Sequence, residues 1–186
     1  MIWQLQLDLD RYLYVQPDPL ADYIDMFNGA PMSKKWRRPK LRVFNDAAPT
    51  PDFMGFCLGA PAVSDKAKSI IESMDRIEAE FLELPRVKGG KFWLLNVASK
   101  IDALDASRSN LSAGGERYIF NDFDPTDMPP LFKVPDVDSE IFATVTFGNT
   151  LIEHQLSGVA LADPSKSVFR SILLGEEINA FEGLKP

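Results

Sequence analysis

The chain is poor in the residues on which much enzyme and metal chemistry is built. It has one cysteine, Cys57, and one histidine, His154, in 186 residues. A single cysteine cannot close an internal disulfide, which fits a reducing compartment. Together the two fall short of the Cys/His set of a zinc site. His154 is the only imidazole available to activate a Ser or Cys nucleophile, and its place beside Ile152 on an amphipathic stretch reads as surface or core edge. Cys57 stands among apolar neighbours in "GFCLG", the setting of a buried thiol with an ordinary or raised pKa. No G-x-S-x-G elbow occurs. The glycine pairs of "KGGK" and "SAGGE" lack the Lys-Ser or Lys-Thr of a phosphate-binding loop and read as turns. No run approaches the roughly eighteen apolar residues of a membrane span. The start, "MIWQLQLDLDRY", has neither the basic region nor the cleavage site of a signal peptide. These absences point to a cytoplasmic protein with no metal or cofactor, and they leave the case for an enzyme thin.

What is present is a chain able to fold. Hydrophobic residues make up 45% and charged residues 25%, enough for a core and too few charges for disorder. The net charge of -7 is unevenly spread: residues 1–60 carry seven basic and seven acidic groups. Between 121 and 140, Asp122, Asp124, Asp127, Asp136, Asp138 and Glu140 face only Lys133. Such a segment repels nucleic acid and anionic lipid and attracts basic partners. Its "DFDPTD" lacks the downstream Gly and Glu of a calcium loop. The opposite sign is concentrated in "SKKWRRPKLRVF", where six cations from Lys34 to Arg42 surround Trp36. That stretch reads as a solvated loop entering a strand. A nucleic-acid-binding module, with bases stacked on Trp36, is the alternative.

Periodicity places the elements. Ile2 to Leu9 alternates as a half-buried strand. "LADYIDMF", Leu20 to Phe27, has the makings of a short helix, and Leu41 to Phe44 of a strand. Ser64 caps a helix from Asp65 to about Met74, with Ala67, Ile70, Ile71 and Met74 on one face. "EAEFLELPRV" alternates, and "KFWLLNVA" is a continuous apolar run that suits a central strand. Strands are expected at Glu116–Phe120, Leu131–Val134, through "EIFATVTF" and at "GVALADP". "NTLIEHQL" reads as a helix capped by Asn149, with Leu151, Ile152 and Leu156 inward and Gly158 at its C-terminal cap. The last twenty residues fit a strand or a helix. Strands outnumber helices without alternating with them, which predicts an α+β fold with a mainly antiparallel sheet and a few short amphipathic helices. Residues 1–40 are expected to form an N-terminal strand-rich extension packed on a body of residues 41–186, the two making one structural unit.

The sharpest chemical possibility is the pair Asp102 and Asp105 in "SKIDALDASRS". Two converging carboxylates would suit a small hydrolase. At this spacing they share a face only in a helix. Asp and Ser in such stretches more often bond nearby backbone amides, so capping or turn-forming roles are the stronger reading.

From Leu41 to Pro164 the order of features resembles immunity family eleven, a bacterial polymorphic-toxin immunity family formerly described as a domain of unknown function. The resemblance rests on "PDF" before "AVSDKAKSIIE", on "EAEFLELPRV", on "FWLLNVASKIDALDASRS", and on "EIFATVTFGNTLIEHQLSGVALADP". It implies an α+β protein that binds a cognate protein toxin and blocks it, with no catalytic residues of its own. Asn96, Asp102, Asp105 and Ser109 match the family motif as fold-defining positions. The likeness says nothing of oligomeric state. Charge supplies the expected contact: the acidic segment, with Phe123, Met128, Leu131 and Phe132 as apolar anchors among its acids, suits the basic cleft of a nuclease toxin.

Overall fold

A computed structural model describes residues 1–24, 26–112, 116–124, 127–135 and 137–166. The C-terminal stretch that the sequence left open lies outside the described residues, as does Asp136. The strands are β1 (Ile2–Leu7), β2 (Tyr14–Asp18), β3 (Lys40–Phe44), β4 (Phe53–Cys57), β5 (Ala60–Ser64), β6 (Ala79–Glu83), β7 (Phe92–Val97), β8 (Leu131–Phe132), β9 (Phe142–Thr144) and β10 (Val159–Ala162). The helices are α1 (Asp65–Glu72) and α2 (Val145–Glu153). The strands form two four-stranded sheets, ordered β10-β1-β9-β8 and β4-β5-β7-β6, and a β2-β3 ribbon. All of these pairings are antiparallel, as expected of the α+β class.

Period-2 alternation explains how each strand serves two layers. On β1, Trp3 and Leu5 enter a first core shared with Phe53, Ala67, Ile71, Leu95 and Phe147. The run in β7 is apolar on both faces because it is buried on both: Leu95 joins that first core, and Leu94 joins a second with Leu13, Val15, Phe56 and Leu82. A third core gathers Tyr118, Met128, Phe132, Val134 and Phe142. The helix at Asp65 forms as expected, its N-cap Ser64 Oγ accepting from the Ala67 amide.

Several elements differ from the sequence reading. Among the described residues of Leu20 to Phe27 the regular structure is a 3-10 turn, Leu20–Asp22, and Tyr23 and Phe27 pack against Trp36 and Phe56. The "EIFATVTF" strand stops at Thr144, and helix α2 begins at Val145, four residues before Asn149. The buried face of the helix is Phe147, Gly148 and Leu151, and Ile152 is 42% exposed. His154 is the exposed C-cap, and Gln155, not Gly158, takes the left-handed conformation after it, at φ 49°. Gly158 has another reason to be glycine. A Cβ there would lie 2.1 Å from the Phe53 carbonyl oxygen, at a φ of +83°. Glu116–Phe120 does not form a strand: Arg117 and Phe120 make single bridges to Asn110 and Leu104. Leu131–Val134 is a strand only over its first two residues.

Candidate functional site

The acidic segment is carried on an aromatic base. Phe142 on β9 receives Tyr118 and Phe120 edge-on, with ring centroids 5.3 and 5.0 Å away, and Phe120 also meets Phe132. Backbone bonds pin the same stretch: the Asn121 amide donates to Ala103 O, and the Tyr118 amide to Pro164 O. Beyond this anchorage the chain emerges as Asp122, Phe123 and Asp124, all exposed, with Phe123 41% accessible despite its ring. Asp127 is exposed as well. A groove of about 300 Å³ runs between the start of β1 at Met1 and Ile2, the Tyr118–Phe123 stretch, and Asp163 to Ser165. Ile2, Phe120, Phe123 and Pro164 give it apolar walls, and Asp122 and Asp163 give it negative charge.

The rest of the segment turns inward. Phe132 and Met128 belong to the third core, and Leu131 to the first, so these apolar anchors hold the fold instead of facing solvent. Asp138 pairs with Lys100 at 2.6 Å. Glu140 accepts from Gln4 Nε2 at 2.8 Å, and burial raises its carboxyl above the usual range. Lys133, the one cation in the segment, is fully buried. Its ammonium donates to the carbonyl oxygens of Phe27 and Asp138. Burial pulls its pKa down to about 8, against an opposing pull from Asp138. A Cβ on Gly59 would stand 2.8 Å from Lys133 Nζ, so glycine leaves room for the ammonium. Sequence reading missed this role; the available signal was a lone Lys inside the apolar "LFKV".

Three of the four motif residues, Asn96, Asp105 and Ser109, are built into the scaffold. Asp105 accepts from the Ser107 amide and hydroxyl and from the Arg108 amide and guanidinium, closing a turn. These bonds, from Ser107 first and then Arg108, hold its carboxyl down at about 2. Asp102 is exposed on a non-helical stretch, so the helical geometry that would align the pair is absent. Ser109 Oγ bonds both the amide and the carbonyl of Ile119. Asn96, 0% exposed, donates to Ala30 O and to Glu80 Oε2. Glu80 in turn accepts the amides of Met32 and Ser33. Burial pushes the Glu80 carboxyl up, but these amide donors outweigh it and hold the group below its usual range. Asn96 and Glu80 thus tie the 30–33 loop to β6 and β7.

The basic stretch is engaged in part. Trp36 is half-buried, packs edge-on to Tyr23 and Phe27, and donates its indole N–H to Glu83 O. Arg38 pairs with Glu83 and Arg42 with Asp18. Cys57 is half-buried, and burial pushes its thiol up to about 12, which quiets it as a nucleophile. Among the described residues no group of three or more His, Cys, Asp or Glu is placed to hold a metal ion, and no helix is long and apolar enough to cross a membrane.

No curated protein matches the chain in sequence. A family model does, over residues 5–165, so the family likeness reaches well into the first forty residues, where no resemblance was legible. With most of its length matched, and with the Asn96, Asp105 and Ser109 side chains built into the fold the match covers, the chain belongs to the immunity protein family Imm11.

Proposed function

We propose that the protein is a cytoplasmic inhibitor that binds a cognate antibacterial toxin and covers a basic functional surface on it, with no catalysis of its own. The observation that carries this reading is the exposed tip Asp122–Phe123–Asp124, standing on its aromatic base beside an acidic, apolar-walled groove. Negative charge on a pre-organised loop steers a basic partner and speeds association. Phe123 supplies the apolar anchor that charge alone lacks. Asp127 extends the acidic surface. Met128 and Phe132 contribute by holding the tip in place. A nuclease suits such an inhibitor, because nucleic-acid-binding clefts are basic.

Co-expression with a candidate toxin, sought in the neighbouring genes, tests the reading. Growth should be restored by the wild-type chain. Replacing Asp122, Asp124 and Asp127 with Asn should weaken toxin binding by about tenfold or more and flatten its salt dependence. Unchanged affinity and an unchanged salt slope would remove the acidic tip from the interface.

A further inference from the structure

The chain is acidic overall, yet one cleft reverses the sign. It lies beside the β6–β7 hairpin and has a volume of about 210 Å³. Arg38, Arg86 and Lys91 supply three cations against the single carboxylate of Glu83, and Leu84 and Trp93 supply apolar wall. The hairpin is firmly built. The Leu84 amide donates to Phe92 O, and Val87 and Gly90 exchange backbone bonds. Arg86 is fixed by its own bond to Gly89 O at 2.8 Å. Glu83 engages Arg38 at 2.6 Å, which leaves Arg86 and Lys91, both exposed, without an ion pair among the described residues.

The surroundings limit what fits. Past Trp93 the charges balance and the cations are already paired: Asp65 accepts the Trp93 indole N–H, Lys66 pairs with Asp52, and Glu72 pairs with Lys68, whose ammonium stands 4.9 Å from the ring centroid. A long polyanion such as nucleic acid would need further unpaired cations there. A short segment joining one or two carboxylates to an apolar side chain would not. The chain itself displays such a segment, with Asp122 and Phe123 exposed at the acidic tip.

We propose that the basic cleft beside the β6–β7 hairpin is a self-association site that receives the Asp122–Phe123 tip of a second copy of this chain. The carboxylate sits between Arg86 and Lys91, and the phenyl ring rests on the Leu84–Trp93 wall. The contact needs no toxin. It covers the same tip that would meet one, so a toxin of higher affinity would draw the protein from the associated state into the complex.

Sedimentation velocity on the full chain, across a range of concentrations and at low and high salt, tests this. The wild type should self-associate, more weakly at high salt. Two variants, R86E/K91E and D122K, alter only exposed side chains, and unchanged far-UV circular dichroism would show that both fold. Each alone should associate about tenfold or more weakly. Mixed, they should recover association, because the reversed charges again face each other. A wild type that is monomeric throughout, association indifferent to both variants, or a mixture that fails to recover would each overturn the proposal. So would low-salt binding of a short oligonucleotide by a monomeric wild type, lost in R86E/K91E, which would give the cleft to nucleic acid.

Discussion

Lysine ammonium groups are almost never fully buried unless paired, and Lys133 meets that condition mainly with backbone carbonyls. The sign of its pH effect follows. A group whose pKa is depressed on folding adds stability that is complete above its unfolded value and is lost as pH falls through the folded value. For Lys133 the window runs from 10.5 down to about 8. Urea unfolding at stepped pH should therefore show the wild type gaining stability over K133M as pH rises from 8. The comparison with K133M isolates the lysine from Cys57, whose raised thiol pKa acts in the opposite direction above pH 9. A constant difference between the two proteins across the window would contradict the buried-ammonium account. Asp105 works at the other end of the scale. Its depressed carboxyl contributes stability that is present above 3.8 and lost as pH falls toward 2, and D105N should remove that acid-side dependence. The same four bonds that depress it make catalysis by Asp105 a poor fit: a carboxylate held by Ser107 and Arg108 has both oxygens engaged.

At the scale of elements, two tight approaches decide whether the sheets can assemble. Gly158 brings the turn before β10 against Phe53 and Pro51, with no room for a methyl group. G158A should cost more than about 2 kcal/mol in chemical denaturation, through both the clash and the left-handed backbone. Phe142 is the hub under the acidic tip. F142A should cost about 3–5 kcal/mol, and it should weaken toxin binding beyond what the stability loss explains, since Tyr118 and Phe120 lose the ring they lean on. By contrast S64A, which deletes the cap of α1, should cost about 1 kcal/mol and leave toxin binding unchanged. The elements that were legible in sequence are those whose burial pattern is local. The Ser64 cap and the Ala67–Ile71 face read correctly because a helix period lies within the stretch. The start of α2 did not, because Val145 and Phe147 also fit a strand period. Only packing of Phe147 against Phe53, 6.1 Å between ring centroids, favours the helix. Glu116–Phe120 looked like a strand because its aromatics are spaced for one, whereas they are spent on the third core and the backbone meets its neighbours only at single bridges.

On the scale of the whole molecule, charge is divided between two surfaces. The acidic tip and the groove beside it lie by β1 and the 163–165 turn, and the basic cleft lies by the β6–β7 hairpin. A net charge of -7 conceals this division. If the tip is the toxin contact, the association rate should fall steeply with ionic strength while dissociation changes little, as stopped-flow mixing at graded salt would reveal. The candidate contact was only partly legible. Its composition marked residues 121–140, but composition cannot separate Phe123, which is exposed, from Phe132, which is 0% exposed nine residues on.

The sequence by itself determined the α+β class, the antiparallel habit, the capped helix at Asp65 and the family likeness, because each is written in local spacing or in residue order. Only the tertiary structure decided which acids face solvent, why Lys133 is tolerated in the interior, and where cations gather into a cleft. Those outcomes depend on contacts between residues far apart in the chain: Lys133 with Phe27, Phe120 with Phe142, Arg38 with Glu83. A side chain's exposure is fixed by what the rest of the chain places over it, and no local pattern carries that information.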